Sequence, residues 1–115
     1  MKKVLIVEDD SDWQSIWKRK LEGKIQTITA SSVEEGERLF NENPDVDAIV
    51  MDACLSGEEP DTPPLVTKIR QTFNGPMIAA SGSSTFRQCL KSYGCDYESK
   101  KHNVSDKVLE ILGVS

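Results

Sequence analysis

Ala48-Ile49-Val50-Met51-Asp52 is the stretch whose reading decides the fold. Four apolar residues run straight into an acid. A run that is apolar at odd and even positions alike has no wet face, so it reads as a strand covered on both sides, as in a parallel sheet. Asp52 then stands at the carboxyl end of the strand, where open α/β sheets gather their chemistry.

Working outward, Val4-Leu5-Ile6-Val7 is a second such run and also ends on acids, Glu8-Asp9-Asp10. Ser11 or Asp12 is expected to cap the helix that follows. Trp13, Ile16, Trp17 and Leu21 recur there at helical spacing, Lys18-Arg19-Lys20 fill the wet side, and Gly23 stops it. Ile25 to Ala30 alternates apolar and polar residues, as an edge strand does. Ser32-Val33-Glu34-Glu35 has the form of a capping box. Behind it Val33, Leu39 and Phe40 make an apolar stripe, and Glu34 and Arg38 an expected i,i+4 pair. Asn43-Pro44-Asp45 turns the chain into the Asp52 strand.

After Asp52 comes a loop, Ser56 to Pro64, rich in Gly, Pro and acids. Pro63 or Pro64 suits the first position of a helix faced by Leu65, Val66, Ile69 and Phe73. Asn74-Gly75-Pro76 is a turn. Met77-Ile78-Ala79-Ala80 reads as a fourth strand, ending on Ser81-Gly82. Phe86, Cys89, Leu90 and Tyr93 are spaced as one helix face, with Gly94 past its end. Cys95 to Ser99 reads as the last strand and leads to Lys100-Lys101. Asn103 is expected to cap a final helix that buries Val104, Val108, Ile111 and Leu112 and stops at Gly113.

Strand and helix alternate five times with short connections, which predicts an α/β fold: a doubly wound, five-stranded parallel sheet with five helices. Five strands suit the flavodoxin-like order 2-1-3-4-5, in which strands one and three are neighbours at the switch point. Glu8, Asp9 and Asp52 then converge on one crevice, joined by Ser81 and by a lysine after strand five.

The bulk properties narrow the function. A chain of 115 residues reads as a single domain, 1–115, with no room for an output domain. Net charge is −5 and no long basic stripe forms, which argues against nucleic acid. No stretch nears the ~20 apolar residues of a membrane span, and the first residues do not form a signal peptide. Cys54, Cys89 and Cys95 are odd in number and lack a CxxC, and His102 is the one histidine. Neither a disulfide framework nor a zinc site follows, so reduced thiols in the cytoplasm are expected.

Three carboxylates in one crevice cannot all ionise cheaply without a cation. Mg²⁺ suits them, because it takes one or two protein carboxylates plus a phosphate and keeps its waters. An aspartate is also a nucleophile toward phosphorus, and phosphoryl transfer needs its equatorial oxygens neutralised. A lysine ammonium and the Ser81 hydroxyl have the right chemistry for that. Each residue taken singly is ordinary: an acid after a strand is usually a cap, and Ser81, Lys100 and Lys101 would pass as turn and surface residues. The weight lies in their falling at the ends of separate parallel strands on one edge.

Four motifs carry a resemblance across the chain. Ile6-Val7-Glu8-Asp9-Asp10, Ile49-Val50-Met51-Asp52, Pro76 to Gly82, and Gly94-Cys95 followed by Ser99-Lys100-Lys101 resemble, in order and separation, the receiver domain of two-component response regulators. The resemblance implies that Asp52 accepts a phosphoryl group from a histidine kinase or histidine phosphotransfer protein. It implies Mg²⁺ bound by Asp9, Asp52 and the backbone carbonyl of Cys54, with Glu8 helping through water. Ser81 and a lysine would hold the phosphoryl oxygens, Ser81 would move on activation, and an aromatic of strand five would reorient with it. Output would pass to a downstream protein partner through helix four, strand five and helix five. Such a domain phosphorylates and dephosphorylates itself and is not a turnover enzyme. A monomer or weak dimer is expected.

The sequence departs from the family's pattern at several points. Spacing from Gly94 favours Lys101 as the site lysine, whereas Tyr97-Glu98-Ser99-Lys100 keeps an aromatic three residues before Lys100. Tyr97 is the switch candidate, although choosing Lys101 puts Glu98 at that position. The family's proline after the lysine is missing. The segment from Ser81 to Gly94 is short for the family, so helix four or the loop before it should be short. Cys54 and Ser83 would flank the attacking water, and such small side chains predict hydrolysis that is not especially slow. Trp13 and Trp17 are a candidate docking face, with packing on the sheet the simpler reading for Trp17. The alternatives are a pseudo-receiver that works as an interaction module and, more remotely, an aspartyl-phosphate hydrolase. The latter lacks its second acid, since Asp52-Ala53-Cys54 stands where Asp-x-Asp is needed.

Overall fold

The computed structural model describes residues 1–115. The strands are β1 (Lys2–Val7), β2 (Ile25–Ala30), β3 (Ala48–Asp52), β4 (Met77–Ala80) and β5 (Tyr97–Ser99). The helices are α1 (Ser11–Leu21), α2 (Val33–Glu42), α3 (Pro63–Arg70), α4 (Ser84–Tyr93) and α5 (Val104–Leu112), with a 3₁₀ turn over Lys101–Asn103. All strand pairs are parallel, and the order is β2-β1-β3-β4-β5.

The continuous apolar runs behave as their patterning demands. Every residue of β3 and of β4 is buried. Alternate residues divide between two cores, because successive side chains of a strand point to opposite faces. Leu5, Val7, Ile49, Met51, Met77 and Ala79 meet α2, α3 and α4 through Phe40, Leu65, Val66, Ile69 and Leu90, joined by Phe73, which lies beyond the end of α3 and not on it as its spacing predicts. Val4, Ile6, Val50, Ile78 and Ala80 meet α1 and α5 through Trp17, Leu21, Val104 and Val108. Burying each large aliphatic side chain is worth ~1.5–3 kcal/mol, so the helices are fixed to the sheet mainly by these two layers.

Local chemistry sets the element ends, with some departures from expectation. The cap of α1 is Asp10, whose side chain accepts from the Asp12 N–H, and neither Ser11 nor Asp12 takes that place. An Asx turn closes one residue earlier than the first apolar position suggests. At α2 the Ser32 hydroxyl accepts from the Glu35 N–H, but the Glu35 carboxylate returns to Ser31 N–H, one residue before the box. Arg38 pairs with Glu35 and Glu42, at 3.7 and 3.2 Å, and not with Glu34. Acids stand at three reachable positions, and this exposed guanidinium takes two of them.

Tyr93 is half exposed at the last turn of a helix that covers a three-residue edge strand, so Leu90 alone is fully buried on α4. Ile111 and Leu112, in the last turn of α5, are half-buried. Asn103 stands at the cap of α5 without a side-chain bond, because the 3₁₀ turn already supplies the entry. Helix α4 is ten residues long and follows directly on the stretch 81–83 after β4. Gly94 closes α4 at φ +145°, and a Cβ there would lie 2.7 Å from Arg70 Cγ, so only glycine fits that turn.

Candidate functional site

The order 2-1-3 brings the carboxyl ends of β1 and β3 side by side, with Val7 opposite Met51 in register. The next residues are Glu8 and Asp52, both acids and both buried, Glu8 completely and Asp52 to 5% exposure. Asp9 sits exposed above them. One carboxylate oxygen from each of the three lies within 4.8 Å of the others. β4 continues the edge: Asp52 is opposite Ala80, and Ala80 opposite Ser99, so Ser81 and the Lys100-Lys101 pair complete the rim.

Of the two lysines, Lys101 enters the site. Its Nζ lies 2.8 Å from Glu8 Oε1 and donates to Asp52 Oδ2 at 3.3 Å. Lys100 is exposed. Asp52 Oδ1 accepts from the Ala53 N–H at 2.8 Å, and Glu8 Oε2 from the Asp10 N–H at 3.2 Å. The contact between Glu8 Oε1 and Lys101 is an ion contact at angles short of a hydrogen bond, so this buried oxygen has no hydrogen-bond donor of its own.

Burial pushes the Glu8 carboxyl up to about 8, the Asp52 carboxylate beside it adds to the rise, and Lys101 and the Asp10 N–H pull the other way. Burial likewise raises Asp52, against the hydrogen bond with Glu8 and the Lys101 charge. For Lys101 burial works downward, but Glu8 and Asp52 outweigh it and hold the ammonium above its ordinary value. Crowding three acids around one ammonium in a low-dielectric pocket favours a proton on Glu8 as long as no further cation is bound. An all-oxygen donor set with one buried orphan oxygen fits a hard divalent cation.

Ser81 is buried at the mouth of this crevice. Its hydroxyl accepts from the Ser83 N–H at 3.1 Å, and its carbonyl accepts from Arg87 Nη1 at 2.9 Å. Asp9, Asp10, Asp52, Cys54, Ser81, Ser83, Phe86 and Lys101 all border one open cavity of about 470 Å³. Cys54 is half-buried, and burial followed by the surrounding acids raises its thiol. Tyr97 lies outside this set. In register it pairs with Ile78, which places it on the α5 side of β5, half exposed beneath Lys107 Nζ at 5.8 Å. Glu98 pairs with Ala79 and turns to α4, where it meets Arg87, Gln88 and Lys91 at 2.9, 2.7 and 3.2 Å.

Three supporting residues carry no signal that single-sequence reading could use. Thr62 is fully buried, and its hydroxyl bonds the backbone carbonyls of Asp52 and Ala53 at 2.7 and 3.1 Å. Asp61 accepts from the Leu55 and Ser56 N–H groups, which folds the loop after Asp52 back on itself. Arg87 joins the Ser81 carbonyl to Glu98. A threonine between two prolines and an arginine on a helix look like ordinary loop and surface residues until the sheet brings their partners in.

No family model matches the chain, and no curated protein matches it. Solved structures do. A two-component response regulator from Clostridium difficile is 25% identical, with a TM-score of 0.83 and 98% of this chain and 97% of that one covered. A response regulator from Burkholderia pseudomallei, described with a phosphorylated aspartic acid, a calcium ion and citrate, is 16% identical, with a TM-score of 0.81 over 97% of this chain and 66% of that one. The receiver domain of Saccharomyces cerevisiae Ssk1, solved with the histidine phosphotransfer protein Ypd1, is 23% identical, with a TM-score of 0.78 over 96% and 88%. Other solved structures that share this fold are likewise described as response regulators or their receiver domains. This chain resembles them over nearly its whole length, in the flavodoxin-like topology. No helix is long and apolar enough to cross a membrane.

Proposed function

We propose that this chain is a phosphoacceptor domain of a two-component system or phosphorelay, charged on Asp52 by a phosphohistidine donor. The observation that carries the reading is the Asp52 carboxylate at a strand end, buried, faced by Lys101 Nζ at 3.3 Å and open to a cavity bordered by Ser81. An Asp52 carboxylate oxygen attacks phosphorus, the P–N bond to the donor imidazole breaks, and the imidazole leaves as a neutral ring once protonated. The product is an acyl phosphate. The Ala53 N–H fixes the other carboxylate oxygen and so aims the nucleophile. Lys101 stands where the ammonium offsets charge on a transferred oxygen, and the Ser81 hydroxyl, which accepts from the Ser83 N–H, can donate its proton to a second.

Asp9, Asp52 and the Cys54 carbonyl would hold Mg²⁺, with Glu8 assisting through water. When bound, the ion supplies neutralisation of the phosphoryl oxygens. A histidine phosphotransfer protein or a histidine kinase is the donor, in line with the yeast receiver domain solved with such a protein. The chain acts as a signalling domain rather than as a turnover enzyme.

Incubation with acetyl phosphate and Mg²⁺ followed by intact-mass measurement tests this. One added phosphoryl group is expected, absent in Asp52→Asn. No gain in the parent chain, or a gain that survives Asp52→Asn, overturns the proposal and favours an interaction module that keeps the fold without the chemistry.

A further inference from the structure

Lysine carries its charge on a four-carbon stem, so where the ammonium comes to rest depends on how firmly its backbone is held. Lys101 lies between a three-residue edge strand and α5, a short anchor for a catalytic distance. Its carbonyl accepts from the Val104 N–H, which closes the 3₁₀ turn. The same carbonyl accepts a second bond, from Trp17 Nε1 at 2.9 Å. Trp17 is 1% exposed, so no bulk water competes for that N–H. Trp13 stacks on it at 5.7 Å between centroids and 28° between planes.

The same helix also holds the acids. Asp10, which caps α1, gives its N–H to Glu8 Oε2, and Gln14, one turn on, donates its side-chain amide to the Glu8 carbonyl. Trp17 follows in the next turn. One rigid element therefore grips the backbone on both sides of the Glu8–Lys101 contact. We infer that Trp17 is a positioning residue for Lys101, whose indole N–H sets the backbone from which the ammonium reaches Asp52 and Glu8. The inference rests on the phosphoacceptor reading for its consequence, and on the hydrogen bond alone for its geometry.

The test uses Trp17→Phe, which keeps an aromatic ring and removes the N–H, and Trp13→Phe, which disturbs the stack but not the bond. With acetyl phosphate as donor, no docking partner takes part. Trp17→Phe is expected to slow phosphorylation at least about tenfold, since small misplacements of a reacting group are costly, while Trp13→Phe stays within about twofold. In a Lys101→Met background, Trp17→Phe should change the rate less than about twofold, because the group it positions is gone. Parent-like phosphorylation in Trp17→Phe, or equal slowing with and without Lys101, overturns the inference. A second readout needs no phosphorylation: the ¹⁵Nζ NMR signal of the Lys101 ammonium should shift or broaden in Trp17→Phe and not in Trp13→Phe. An unchanged signal in Trp17→Phe overturns the inference even if the parent chain takes up no phosphoryl group, a result that would count against the phosphoacceptor reading instead.

Discussion

Two adjacent lysines differ in where they lie, because the backbone is extended at Lys100 and enters the 3₁₀ turn at Lys101. Lys100 is exposed, while Lys101 bridges Glu8 and Asp52 at 2.8 and 3.3 Å. Removing the Lys101 charge leaves two buried carboxylates without a cation and a transferred phosphoryl group without its partner. Lys101→Met should therefore lower the rate of phosphorylation by acetyl phosphate about 10²–10³-fold, the usual loss for a preorganised electrostatic donor. Lys100→Met should leave it within about twofold. The comparison is a pair of time courses by intact mass, and equal losses in the two variants would mean that the loop rearranges when Mg²⁺ and donor bind. Spacing from Gly94 favours the same lysine, but the sequence holds no trace of the direction in which either side chain points.

At the scale of elements, the α4–β5 contact is ionic. Glu98 occupies the strand position facing α4, and its carboxylate gathers Arg87, Gln88 and Lys91. Arg87, followed by Gln88 and Lys91, holds the Glu98 carboxyl down to about 2. A depressed pKa stabilises the charged pairing above the ordinary carboxylate value of 4.5 and loses that contribution as pH falls through about 2. Carbon NMR of the Glu98 side chain should thus show a midpoint near 2 in the parent chain, and Arg87→Gln should move it toward 4.5. A parent midpoint already near 4.5 would show that solvent screens the cluster.

Arg87 also holds the Ser81 carbonyl, so one guanidinium ties the end of β4 to Glu98 on β5. Runs such as Val4–Val7 and Ala48–Asp52 were legible because burial on both faces writes itself into consecutive residues, and the acids that end them were legible with them. Arg87, Thr62 and Trp17 were not. Their partners lie 11, 10 and 84 positions away, and nothing in a helix period or a turn residue encodes a bond of that reach.

For the whole molecule, the site is a region of stored repulsion. Folding gathers Glu8, Asp9 and Asp52 within 4.8 Å and buries two of them, with one ammonium to offset them. Functional sites of this kind trade stability for chemistry. Asp52→Asn removes one buried carboxylate while its amide oxygen can still accept from the Ala53 N–H. In chelator, this variant should therefore melt higher than the parent chain, by about 1 kcal/mol or several °C. Adding Mg²⁺ reverses the order. A ligand that binds only the folded state stabilises it by ~2.7 kcal/mol at a hundred times its dissociation constant. The parent should gain that increment and Asp52→Asn should gain little, since it has lost a ligand. Thermal melts of both proteins in chelator and in a Mg²⁺ series measure the two effects together. A variant that melts lower than the parent in chelator would mean that the Lys101 and Ala53 contacts already outweigh the repulsion. A parent chain insensitive to Mg²⁺ would mean that the three acids do not form an ion site, and the phosphoacceptor reading would lose its charge balance.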